Sequence, residues 1–317
     1  MQRRSASSSE RRPSGARRST LDAKGLPVER QERPTDAEPP ATGTCYLEID
    51  GVVPKTREEV PRRELTAAQK RKQSRAKKQK ARGGRGRKYR LVGREVKNAV
   101  LYRDLDCARE SPSRGCLLAK SYVSHLGGPQ VFEMLLWAEL VRRGFDHAER
   151  LVVLSDGAEW IRLLARRLPI PVVLILDLFH VKHRIWEVAN QLYGEHSGKA
   201  GNWARKQGDR IEQGKARAVI ESLRFLSPAS QAQREAVDKL VGYLRENLDR
   251  MDYPAYRAQG LRVGSGAVES ANFHVTGARL KLQGMRWSLA GAANMAMLRA
   301  DLFNGRWAQS TRRLLAA

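Results

Sequence analysis

Three acidic residues in this chain stand where a phosphate ester or another anion could be handled. Asp50 closes the run Thr44-Cys-Tyr-Leu-Glu-Ile-Asp50, Asp156 closes Leu151-Val-Val-Leu-Ser-Asp156, and Glu269 follows the turn Gly264-Ser-Gly266. Each has an ordinary reading when taken alone. Asp156 suits a helix cap, worth about 1 kcal/mol; Glu269 suits the first turn of a helix, near its positive end; Asp50 suits a strand-end turn. As a set they suggest more, because in open sheets with crossover helices sites form outside the strand ends. Carboxylates converging there repel one another unless a divalent cation neutralises them, and Mg²⁺ or Mn²⁺ favours such hard oxygen ligands. Two such ions about 3.5–4 Å apart can stabilise both the attacking and leaving oxygens of an in-line phosphoryl displacement. His180 and His183 are spaced i, i+3. No second Cys/His pair at ligand spacing accompanies them, so zinc is not the expected metal.

The elements that must position these acids can be read from periodicity. In the first run Tyr46, Glu48 and Asp50 share one face of a strand, with Cys45, Leu47 and Ile49 on the other. Residues 94–102 alternate like a second strand, and 117–123 like a third. Gly127-Gly128-Pro129 opens an amphipathic helix that Gly144 closes. A strand over 151–155, a helix over 158–167 and a strand over 171–176, ending at Asp177, complete the series. Three strands followed by alternating helices and strands predict an α/β fold, a mixed sheet flanked by helices. The core begins over 43–178, an all-helical insertion spans 179–262, and the core resumes over 263–307. Two helices are expected in this C-terminal stretch. The first begins near Ala267, and the second runs from Leu289 to Phe303, with Ser288 as N-cap and Asn304-Gly305 as stop. Residues 1–42 read as a disordered basic segment, and 308–317 as a tail.

Charge points to the partner. The chain holds 59 Lys/Arg against 34 Asp/Glu, a formal net charge of +25. Its first hundred residues carry 27 basic against 12 acidic groups, the second hundred 13 against 12, and the remainder 19 against 10. A near-neutral middle between basic flanks implies a folded scaffold that grips a polyanion, with nucleic acid first among candidates. The stretch 70–97 has 14 basic residues and a single acid, Glu95. Within a predicted loop over 66–93, Lys70, Arg71, Lys72, Arg75, Lys77, Lys78, Arg82 and Arg85 are candidates for phosphate contacts. These would position DNA without reading its bases; the ordinary alternative is a solvated charged loop. Arg279, Lys281 and Arg286 follow Glu269 closely and suit the same role. Trp287 could stack on an unpaired base or belong to the core. Three cysteines have no disulfide framework spacing. No run approaches the roughly 20 apolar residues of a membrane helix, and no hydrophobic signal segment opens the chain. A soluble protein of the reducing cytoplasm is therefore expected.

The runs YLEIDGVVP, REVKNAVLY, VVLSDGAEWI, LDLFHVKHRIWEVANQLY, MDYPAYRAQGLRVGSGAVES and GARLKLQGMRWSLAGAANMAMLRADLFNGRW cover most of 44–307. In this order they resemble bacterial insertion-sequence DDE transposases, in particular the Kra group; GSGAVE followed by GMRWS is the most distinctive stretch. The resemblance implies an RNase H-like fold with Asp50, Asp156 and Glu269 as the metal-binding triad. His180, in a run similar to the Asp-x-x-His signature of several transposase groups, would support the site without being a ligand. It further implies two Mg²⁺ or Mn²⁺ ions and DNA as substrate, both as transposon ends and as target. A homodimer or higher oligomer on DNA and a nucleoid-associated location in the bacterial cytoplasm also follow. Such transposases carry a sizeable DNA-binding region before the first Asp, whereas 49 residues precede Asp50 here. The alternative expectation is accordingly a truncated, catalytically silent DNA-binding remnant, and the third a related RNase H-like DNA nuclease.

Overall fold

The computed structural model describes residues 36–59, 66–69, 71, 89–111 and 114–316. The expected alternation of the first run is realised in β1 (Thr44–Val52), which lies at the centre of a five-stranded sheet. Its neighbours are β4 (Val96–Arg103), antiparallel, and β8 (Arg150–Ser155), parallel. β7 (Ser121–Leu126) lies antiparallel beyond β4, and β9 (Val172–Leu176) parallel beyond β8, giving the order β7-β4-β1-β8-β9. The fold is therefore α/β with a mixed sheet, as expected.

The two faces of β1 feed two cores. Cys45, Leu47 and Ile49 join Leu151, Val153 and helices α1 (Pro129–Arg142) and α2 (Glu159–Arg167) in one cluster. Tyr46 joins Val100, Tyr102, Val152 and Leu154 in the other. Side chains of alternate strand residues point to opposite faces, so this division follows directly from the sequence. Each fully buried Leu, Val or Phe contributes roughly 1.5–3 kcal/mol, which sets the register of β1 firmly: a one-residue slip would exchange the two sets.

Helices α3 (Leu178–Tyr193), α4 (Gly198–Glu212), α5 (Ala216–Arg224), α6 (Gln231–Glu246) and α7 (Tyr253–Ala258) fill the region expected as a helical insertion. They do not build a core of their own. Val181, Ile185, Ala204, Ile211, Val219 and Leu244 belong to the same apolar cluster as Tyr46 and Leu154 on the sheet. Helix α8 (Gly266–Ala271) then runs through a wider π-type turn at Asn272–Gly277 into Ala278–Leu280. β10 (Trp287–Ser288) leads into α9 (Leu289–Phe303), where Ser288 accepts a hydrogen bond from Gly291 N as the predicted cap. Gly305, at φ 72°, stops the helix as expected.

Four boundaries differ from expectation. The third strand is two elements: β5 (Cys107–Ser111) pairs with β6 (Arg114–Leu117) as a small ladder, and β7 begins later, at Ser121. The predicted loop over 66–93 ends earlier, because β3 (Tyr89–Gly93) pairs with β2 (Lys55–Glu59). These strands are short, charged and largely exposed, so they carry no apolar alternation to read. Residues 36–42 are placed against the end of α1: Ala41, which is buried, donates its N–H to Gly144 O at 2.9 Å, and Glu38 N bonds Arg142 O at 2.7 Å. Residues 1–35 lie outside the described residues. The expected tail is helix α10 (Trp307–Ala316). The three cysteines are unpaired, and no helix among the described residues is long and apolar enough to cross a membrane.

Candidate metal and nucleic-acid site

The register of the parallel strands brings the acids together. Ile49 of β1 lies opposite Ser155 of β8, and Ser155 opposite Leu176 of β9. The next residue on each strand is acidic: Asp50, Asp156 and Asp177. Adjacent strands lie about 4.8 Å apart, so three carboxylates stand in a row at one edge of the sheet. Asp50 and Asp156 follow the same alternation as Tyr46 and Leu154 and so face the cluster shared with the helices.

Asp156 sits in a tight turn. Its Oδ1 accepts a hydrogen bond from Ala158 N at 3.0 Å, as in an Asx turn, and Tyr243 donates its hydroxyl to the Asp156 carbonyl at 2.9 Å. Gly157 follows at φ +98°, where a Cβ would come within 2.9 Å of Leu176 and 3.1 Å of both Asn247 and Tyr243. The N-cap of α2 is Ala158, without a side-chain cap, so Asp156 is a turn residue and not the cap; Oδ1 holds the turn, and Oδ2 accepts no hydrogen bond among the described residues.

Asp177 is fully buried and caps α3 through Oδ1, which accepts from Phe179 N at 2.7 Å. Its Oδ2 is shared among Ser265 N at 3.2 Å, the Ser265 hydroxyl, and His180 Nδ1 at 3.0 Å. Three donors thus crowd Oδ2, while Oδ1 accepts only from Phe179 N among the described residues. Asp177 anchors His180 by Nδ1, the arrangement by which carboxylates orient imidazoles. The hydrogen bond that His180 donates to Asp177 raises the His180 pKa against the effect of burial, and the charges of Asp177, Asp50 and Asp156 add to it. Burial raises the Asp50 pKa, as does the charge of Asp156, while the Gly51 N–H, His180 and Asn272 work in the other direction.

Glu269 is exposed in the first turn of α8. One ligand atom from each of Asp177, His180 and Glu269 lies within 4.8 Å of the others. Asp50 and Asp156 stand outside that set, coupled to it through the charge of His180. Of the expected triad, Asp50 and Asp156 thus stand on neighbouring strand ends, whereas Glu269 clusters with His180 and Asp177. His183, by contrast, points to Glu187 at 3.5 Å on the exposed side of α3.

Asp156 and Glu269 each keep an oxygen that accepts no hydrogen bond among the described residues, and carboxylate oxygens are the hard donors that divalent ions such as Mg²⁺ take.

Several residues at the site were not singled out by sequence. Asn272 donates Nδ2 to Asp50 Oδ2 at 2.5 Å and accepts from Asn98 Nδ2 at 2.6 Å. Asn98 Oδ1 in turn accepts from Ser124 at 2.6 Å and Thr276 at 2.9 Å. Glu48, two residues before Asp50, is buried and accepts from Tyr102 and from Val268 N. Burial pushes its carboxyl up to about 7, against the hydrogen bonds from Tyr102, Val268 and Ala267. The signal for Glu48 was present in its face-sharing with Asp50. Asn272 offered only its i+3 spacing from Glu269.

Of the candidate DNA contacts, Arg71 is exposed, while Lys70, Lys72, Arg75, Lys77, Lys78, Arg82 and Arg85 lie outside the described residues. Arg279, Lys281 and Arg286 are exposed. Trp287 is half-buried, packed on the cluster of Val96, Leu126 and Leu280, with the Arg279 guanidinium 6.0 Å from its ring centre. A ring so placed fits the core reading better than the stacking one. Strand β10 pairs with β2, which pairs with β3. One small sheet thus joins the end of the basic stretch at β3, through β2, to the segment that follows Glu269. No protein-family profile and no curated protein matches the chain.

Proposed function

We propose that this chain is the catalytic core of a DDE-type DNA transposase with an RNase H-like fold, acting with two Mg²⁺ or Mn²⁺ ions. The observations that carry this reading are the adjacent parallel strand ends at Asp50 and Asp156, whose charges both act on His180, and the closeness of His180 to Glu269. The strand order, with three antiparallel strands followed by two parallel ones, supports the RNase H-like assignment. Bound at these carboxylates, divalent ions supply charge neutralisation and activation of the attacking oxygen in phosphoryl displacement.

The chain's own groups do the rest. Asp50, Asp156 and Glu269 offer oxygen ligands from three separate elements, and Asp177 holds His180 beside them. Arg279, Lys281 and Arg286 draw the DNA backbone to this edge through phosphate contacts. Catalysis of this kind rests on positioning and electrostatics. DNA ends and target DNA are the partners in this reading, with a homodimer or higher oligomer bringing two ends together in the nucleoid.

Replacement of Asp156 by Asn tests the proposal on labelled oligonucleotides. Mg²⁺-dependent nicking and strand transfer are expected to be lost; undiminished activity would overturn the triad. Cut products never joined to a new target would favour a nuclease, and no cleavage by the wild-type chain would favour a silent DNA-binding remnant.

A further inference from the structure

Alternate residues of β1 grip the returning segment 262–272 at three successive points. Tyr46 Oη accepts from Arg262 N at 3.2 Å, Glu48 Oε2 from Val268 N at 2.8 Å, and Asp50 Oδ2 from the Asn272 side chain. The outer two are a phenol, which is an ordinary buried partner, and a site carboxylate. The middle one needs a different explanation. Glu48 is 1% exposed and forms no ion pair among the described residues. Its second oxygen accepts the Tyr102 hydroxyl at 2.6 Å, and Tyr102 is itself buried and stacked on Tyr46, with ring centres 5.1 Å apart.

A carboxylate buried without a cation costs far more than an apolar side chain of the same size. Core filling therefore does not account for Glu48, and its directional bonds do. Val268 immediately precedes Glu269, and Ser265, at the start of the same helix, is held by Asp177. Two buried carboxylates from the sheet edge thus hold the backbone that carries Glu269.

We infer that Glu48 is a positioning residue that fixes the first turn of α8 so that Glu269 reaches the metal site. This inference rests on the metal-site reading above. In this reading Glu48 acts through the helix and not as a ligand, with one oxygen holding Tyr102 and the other Val268 N.

The test uses the full chain and three readouts: thermal melting, amide hydrogen exchange at Val268, and Mn²⁺ binding followed by the paramagnetic resonance of the free ion. Glu48→Met keeps the volume and removes both acceptors, whereas Glu48→Gln keeps an acceptor for Val268 and lets its amide donate to the Tyr102 oxygen. In Glu48→Met, Val268 exchange is expected to accelerate and Mn²⁺ affinity to fall about 10-fold or more, the usual effect of losing a group behind a metal ligand. Glu48→Gln is expected to restore both. A folded Glu48→Met that binds Mn²⁺ as tightly as the wild type overturns the inference. Where Glu48→Met does not fold, Tyr102→Phe decides: it frees the carboxylate to rotate and should weaken Mn²⁺ binding several-fold, and unchanged binding overturns the inference. A wild-type chain that takes up no Mn²⁺, or takes it up equally in Asp156→Asn, overturns the metal reading instead. Exchange at Val268 in Glu48→Met then decides alone whether Glu48 holds the helix.

Discussion

The side chain of Asn272 donates a hydrogen bond of 2.5 Å to Asp50 across 222 residues of sequence. Asn272 begins the π-type turn of the helix that carries Glu269, and such turns recur at functional sites. Through Asn98 the same chain of bonds reaches Ser124 and Thr276. The orientation of Asp50 is therefore set by side chains on two other strands and a helix.

Asn272→Ala should leave the fold largely intact and weaken Mn²⁺ binding and cleavage by about 10-fold or more, as expected for the loss of an orienting partner. Asn98→Ala should instead lower stability by about 1–3 kcal/mol, because it strips buried hydroxyls of their acceptor. Urea unfolding and metal titration of the two variants would separate these effects. Equal losses of stability would argue against an orienting role for Asn272.

Gly157 joins Asp156 to its helix at a backbone conformation that only glycine adopts without strain. Gly157→Ala is expected to cost about 1–3 kcal/mol and to displace Asp156. Gly264→Ala is a useful contrast: its Cβ would first meet the ring of Phe179, a side chain 60% exposed, and its backbone is not in the left-handed region. Denaturation midpoints should fall clearly for the first variant and little for the second.

Acid should loosen the junction of α1 with α9 and α10 through Glu139. Burial tends to raise its pKa, but the hydrogen bonds and charges of Arg142 and Arg306 outweigh burial and leave it below the ordinary 4.5. A carboxyl depressed in the folded state contributes stability above its unfolded pKa and loses it as pH falls through the folded value. The stability difference between the wild type and Glu139→Gln should accordingly be largest near neutral pH and shrink below about pH 4.5. Urea midpoints measured from pH 7 to 3 would check this; a difference independent of pH would count against the ion pairs.

Binding to duplex DNA should weaken steeply with salt, since each phosphate neutralised contributes roughly 0.9 to the slope of log affinity against log salt. Arg279→Ala and Arg286→Ala should each lower that slope by up to about 1 without changing sequence preference. Fluorescence anisotropy across a salt series would show it. Unaltered slopes would remove these side chains from the interface.

Much of the architecture was legible in the linear chain. The alternation of Cys45 to Asp50 divides that strand between two cores, and Gly128-Pro129, Gly144, Ser288 and Gly305 mark helix ends by backbone geometry alone. Such features depend on neighbours a few residues away. Strands β2 and β3 were not legible because their pairing partners, not their own side chains, hold them in place. The helical block could be located but not its dependence on the sheet, since an apolar stripe does not say what it packs against.

The candidate site divides in the same way. Sequence alone determined which acids end strands or open helices, and so Asp50, Asp156 and Glu269, because those positions follow from local periodicity and turn chemistry. Only the tertiary structure decided that Asp177 accepts from four donors, that it holds His180, and that Glu48 and Asn272 tie β1 to a segment more than two hundred residues later. A hydrogen bond has direction and a range of about 3 Å, and nothing in a linear pattern specifies which distant donor will arrive within it.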